Sequence, residues 1–173
     1  MQYSSTRVVC ATLVIAAGVA CSQRSATEEV LFHNPVSDLT GVVTPDAVTL
    51  DVETTSDGTG ALKIGAADSI TVRLYEVGDI DVENGRLVYR ARVRTEGIGG
   101  QVFLEMWCRF PGLGEFFSRA LDAPLRGSTE WTSQETLFFL EEGQNPDHVA
   151  LNIVITGAGT VWVDEVALVM LPR

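Results

Sequence analysis

From Val30 onward, apolar and polar residues alternate in short runs cut at intervals by glycine, asparagine, aspartate and proline. No stretch holds a helical period for more than about two turns. Such a pattern builds strands and turns. Its clearest instance is 101–110, QVFLEMWCRF, where Val102, Leu104, Met106, Cys108 and Phe110 share one side and Phe103, Glu105, Trp107 and Arg109 the other. The first side reads as core, whereas the second mixes aromatics with charges. The pattern predicts strands at 48–54, 61–66, 69–75, 86–95, 101–110, 133–140, 149–156 and 160–170, hence an all-β domain built as a two-sheet antiparallel β-sandwich. Turn-forming residues fall between them, at 57–60 (DGTG), 83–85 (ENG), 97–100 (GIGG), 145–147 (NPD) and 157–159 (GAG).

The short glycine-rich link at 97–100 suggests that 86–95 and 101–110 form a hairpin. With Thr95 opposite Val102, the pairs Val93/Leu104, Ala91/Met106, Tyr89/Cys108 and Leu87/Phe110 line an apolar face. On the other face Arg94 meets Phe103, Arg92 meets Glu105 and Arg90 meets Trp107, leaving Arg109 the one outer charge without a partner.

Residues 1–20 hold one cation, Arg7, and then an uncharged apolar run from Val8 to Ala20. That run is too short for a spanning helix of ~20 residues and fits a secretory signal peptide. Gly18-Val19-Ala20 before Cys21 resembles the lipobox of bacterial lipoproteins, with Gly18 where such motifs prefer leucine. The resemblance implies lipidation of Cys21, export across the inner membrane and anchoring in the bacterial cell envelope, at the outer membrane. The alternative is an ordinary signal cut near Ala20. Residues 21–29 then form the lipidated cysteine and a short polar linker, and 30–173 the β-sandwich domain. With Cys10 in the signal and Cys21 acylated, Cys108 is left alone, so no intrachain disulfide framework is expected.

The net charge of −11 becomes more negative once Arg7 is removed. This argues against nucleic acid and against an electrostatic hold on anionic lipid, so membrane contact is expected only through the lipid on Cys21.

Two segments, SDGTGALKI at 56–64 and GAGTVWVDEVAL at 157–168, resemble the signature ends of galactose-binding-like jelly rolls, especially bacterial carbohydrate-binding modules. Asp57, Gly58, Leu62 and Ile64 match the first signature, and Gly159, Asp164, Val166 and Leu168 the second. Ala61 stands where serine is usual, and Glu165 replaces a second aspartate. The resemblance implies a jelly roll and a structural calcium, with Asp57 and Asp164 supplying carboxylates and Gly60 a carbonyl. The alternative is that Asp57 caps a turn and Asp164 sits in solvent at a strand end.

The chain shows no nucleophile elbow, no H-E-x-x-H and no P-loop, and Glu105 lacks a carboxylate partner two residues away. A non-catalytic binding module is therefore expected. Sugars are held by aromatic faces and planar polar groups, which makes Phe103, Glu105, Trp107 and Arg109, with Asn152 from the next predicted strand, candidate ligand contacts. The same residues also fit an outer face satisfied by its own cross-strand pairs. The connection 111–131 is long enough to be functional and adds Phe116 and Arg119 as candidates. Glycan is the expected ligand class, with an envelope protein partner as the rival and a small glycan-active enzyme third.

Overall fold

The computed structural model describes residues 27–173; the expected signal peptide, Cys21 and most of the expected linker lie outside the described residues. Among these described residues nine strands follow in chain order: β1 Glu29–Asn34, β2 Thr49–Asp51, β3 Ala61–Ala66, β4 Ile70–Gly78, β5 Gly85–Phe110, β6 Gly114–Arg119, β7 Leu125–Leu140, β8 His148–Thr156 and β9 Gly159–Pro172. A 3-10 turn at Pro45–Ala47 is the one helical element among the described residues. Every strand pairing is antiparallel.

The architecture turns on β5, a strand of 26 residues that serves both layers. Its first arm pairs with β9 on one side and with β7 on the other, for example Val93 with Val163 and with Thr132. Its second arm pairs with β8 and β6, with Glu105 opposite Asn152 and Arg119. One layer is thus β2-β3-β9-β5-β7 with β1 continuing along the same edge of β9 as β3, and the other is β4-β8-β5-β6. The sandwich is a single hydrogen-bonded sheet folded over at the glycines of residues 97–100.

This corrects the expected hairpin. Residues 86–95 and 101–110 do not pair with each other; they face across the core, each edge already bonded to other strands. Gly97, at φ 63°, lets the backbone bend, and Gly100 packs so tightly that a Cβ there would lie 1.6 Å from the Thr156 carbonyl oxygen. The bend is held by Gly99 N–H on the Ala158 carbonyl at 2.9 Å. The expected arginine pairings fall with the hairpin. Arg92 donates to the Trp131 carbonyl and the Ser133 hydroxyl, Arg90 pairs with Glu28, and Arg94 lies 5.5 Å from the Trp162 ring.

The alternation itself holds. Leu87, Tyr89, Ala91 and Val93 from the first arm and Val102, Leu104, Met106, Cys108 and Phe110 from the second are all buried in one core. Burial pushes the Cys108 thiol up to about 12, which removes it from nucleophilic use. Sequence reading missed β1 and β6. The expected connection 111–131 is mostly strand: β5 turns at residues 111–113 into β6, and β7 begins at Leu125.

Candidate functional site: an aromatic platform and a carboxylate cluster

Antiparallel register brings the outward residues of β4, β8, β5 and β6 into rows across one face. One row runs Arg73, Asn152, Glu105, Arg119, and the next Glu76, Ala150, Trp107, Phe117. Glu105, only 4% exposed, accepts from the Trp107 indole Nε1 at 2.8 Å, Arg119 Nε at 2.6 Å and Asn152 Nδ2 at 3.1 Å. Burial opposes ionisation, yet these hydrogen bonds from Arg119, Trp107 and Asn152 outweigh it and hold the carboxyl below the ordinary range. The buried anion thereby fixes the tilt of the Trp107 ring. Phe117 extends the surface, with ring centroids 5.0 Å apart and the Arg119 guanidinium 4.4 Å over its own ring.

Of the sequence candidates, Glu105, Trp107, Asn152 and Arg119 come together in this way, while three others are placed differently. Phe103 shares the face but is buried, because Val154 lies beside it and the chain leaving β6 is tied alongside by Ala120 N–H on the Leu104 carbonyl. Arg109 is not the unpaired charge expected: Nε and Nη2 bind the two oxygens of Asp147 at 2.9 and 3.2 Å. Phe116, opposite Cys108 in the register, points to the other side of β6 and packs on Phe110 at the end of the sandwich. There, with Leu113, Phe138 and Phe139, it lines a separate cavity of about 410 Å³. The aromatic on the platform is its neighbour Phe117, half exposed. Parity within β6 decides between them, and that signal was available only once 114–119 was seen to be a strand.

The second site lies on the edge of β9 that faces away from β5. That edge pairs with β3 up to Val163 and with β1 from Val166, and the two residues between them, Asp164 and Glu165, interrupt the ladder. Glu165 takes φ 51°, left-handed for a residue with a Cβ, and the buried Val36 nearby in the fold takes φ 55°. Asp164 is fully buried and accepts Ser56 N–H at 2.9 Å and Glu165 N–H at 2.8 Å. Burial raises its pKa first, with Asp57's charge adding to the effect. Asp57 caps its own turn through Thr59 N–H and hydroxyl, which lowers its pKa. One oxygen from each of Asp57, Asp164 and Glu165 lies within 4.8 Å of the others. An all-oxygen set with this much crowded negative charge fits a hard cation such as calcium. Glu165 was not among the sequence candidates, since only the break in the ladder and its left-handed φ turn it toward Asp57. Gly60 is buried at a close approach, where a Cβ would lie 2.4 Å from the Val36 carbonyl oxygen, so it joins residues 34–36 to the turn at 57–60.

No protein-family model matches the sequence, and no curated protein does either. Solved structures do resemble the fold. A module described as "Family 16 Carbohydrate Binding Module-2" aligns with TM-score 0.58 and 13% identity over 81% of this chain and 99% of that one. The CBM22-1 xylan-binding domain of Paenibacillus barcinonensis Xyn10C gives 0.56 and 12% over 86% and 99%. The CBM22-1–GH10 modules of Clostridium thermocellum endo-1,4-beta-D-xylanase 10B, complexed with xylohexaose, give 0.61 and 13% over 83% of this chain and 29% of that one. Identities this low speak for fold alone. The chain is an all-β antiparallel sandwich of the jelly-roll kind, and carbohydrate-binding-module sandwiches are its structural neighbours.

Proposed function

We propose that the protein is a non-catalytic glycan-binding module and that the outer face of β4, β8, β5 and β6 is its binding surface. The observation that carries this is the Trp107–Phe117 pair, partly open on an outer sheet face and edged by polar groups held in place by Glu105. Aromatic faces stack on sugar C–H surfaces, and fixed carboxylates, guanidiniums and amides meet hydroxyls. Support also comes from the structural neighbours, one titled a xylan-binding domain and another solved with xylohexaose. A hydrolytic role finds less support: Glu105 is held below the ordinary carboxylate range, the opposite of what a general acid needs. The test is a glycan array followed by calorimetry on the full chain. Trp107→Ala is expected to weaken binding at least tenfold, ~1.4 kcal/mol, with the fold retained; silence across the array would sink the reading.

Display on the bacterial envelope through a lipid on Cys21, at the outer membrane, belongs to the same proposal, as does a structural calcium held by Asp57, Asp164 and Glu165. Metabolic labelling with a fatty-acid probe tests the first, since Cys21→Ala should lose the label. A protein partner is the second reading, favoured by one observation: Leu113, Phe116 and Phe139 stand exposed around the cavity at the end of the sandwich. Crosslinking lost on Phe116→Ser and Phe139→Ser, but kept in Trp107→Ala, would support it.

A further inference from the structure

On the platform, the row that contains Trp107 continues through Ala150 to Glu76, the neighbouring positions on β8 and β4. The flanking outward positions on β8 hold His148 and Asn152, so the single methyl of Ala150 leaves a depression between the indole and Glu76. Its volume is about 250 Å³, and its sides are Trp107, Arg73, Glu76, Arg109, Glu115 and His148. Most of these side chains are tied. Arg73 Nη1 donates to Glu76 Oε1 at 2.8 Å, Arg109 is held twice by Asp147, and the indole is held by Glu105. His148 closes one end, with Nε2 3.6 Å from Glu76 Oε2, and Arg73, bridging to Glu76, narrows the other.

Pockets that take drug-sized ligands measure ~300–1,000 Å³, so this one has room for a ring and not for a chain running through it. Both guanidiniums are already paired with carboxylates, and Glu115 adds a further negative charge beside Arg109. A uronate would therefore meet no spare cation. Hydroxyls, by contrast, would find carboxylate acceptors and N–H donors together, above the apolar floor of Ala150.

We infer that this depression receives one uncharged sugar ring, the terminal unit of a glycan, and that Ala150 is the residue that makes the room. The inference rests on the glycan-binding reading of the face. Its ligand stacks on Trp107 and ends there, instead of lying along the sheet as a continuous chain.

Calorimetry on the full chain, with neutral monosaccharides, their oligomers of two to six units and the matching uronic acids, tests it. For the sugar that binds, molar affinity should stay within about twofold from one unit to six, and its uronic acid should bind at least tenfold more weakly. Ala150→Val, a substitution well suited to a strand, should fill the depression and lower affinity at least tenfold with the circular dichroism spectrum unchanged. As a second variant, Arg73→Ala should open the narrowed end and make hexamers bind better than the single sugar. Affinity that climbs tenfold or more with chain length in the unaltered protein, or an Ala150→Val protein that binds normally, would overturn the terminal-ring inference and leave glycan binding standing. Absence of binding to any sugar would overturn both.

Discussion

Glu105 shows how one buried residue organises the platform. Its carboxylate is the shared acceptor for Trp107, Arg119 and Asn152, so Glu105→Leu leaves three donors without their partner in or beside a buried site. The expected cost is about 1–3 kcal/mol in urea unfolding at pH 7, with Trp107 fluorescence shifted as the ring loosens. Acid sensitivity follows from the same contacts. The folded pKa lies below the unfolded ~4.3, so the stabilisation is complete above that value and is lost as pH falls through the folded pKa. Asp51 works in the same direction, pulled to about 2 chiefly by the Trp162 indole N–H and then by Thr54 N–H. Glu105→Gln should accordingly show a smaller stability difference between pH 7 and pH 3 than the unaltered protein. An equal difference in the two proteins would mean that Glu105 carries none of the acid dependence.

Strands, rather than single residues, decide where the aromatic side chains point. Within β6, Phe116 and Phe117 differ by one position and therefore by a face, one toward Phe110 and one toward Trp107. Phe117→Ala should weaken glycan binding severalfold while Phe116→Ala leaves it unchanged, a contrast calorimetry would read directly. The bend in β5 makes a second element-scale prediction. A side chain at Gly100 would collide with the backbone oxygen of Thr156, so Gly100→Ala should destabilise by ~3 kcal/mol or more. Gly97 has open space and needs only its left-handed φ, which asparagine tolerates, so Gly97→Asn should cost less than about 1 kcal/mol. The core-facing sets of the two β5 arms were legible in the alternation. Their pairing was not, because side chains opposed across a hairpin and side chains opposed across a core give the same period-two pattern.

At the scale of the whole molecule, β9 closes the sandwich and carries the cluster of Asp57, Asp164 and Glu165 where its partner changes from β3 to β1. A cation there would join the turn at 57–60 to the closing strand and relieve three converging negative charges. Calcium at a hundred times its dissociation constant should then stabilise the protein by about 2.7 kcal/mol over a chelated sample, and Asp164→Asn should abolish the difference. Thermal unfolding with and without chelator would read both, and an unaltered protein that ignores calcium would remove the metal from the site. By itself the sequence determined the all-β class, the core-facing sets of both β5 arms and the residue types available for binding, because side-chain alternation is a local property that burial imposes on each strand. Only the tertiary structure decided which strands are neighbours, that Phe117 and not Phe116 joins Trp107, that Arg109 is held by Asp147, and that Glu165 meets Asp57. Those outcomes depend on backbone hydrogen bonds between segments far apart in the chain and on the change of partner strand at residues 164–165 of β9, and neither is encoded in the period of any one strand.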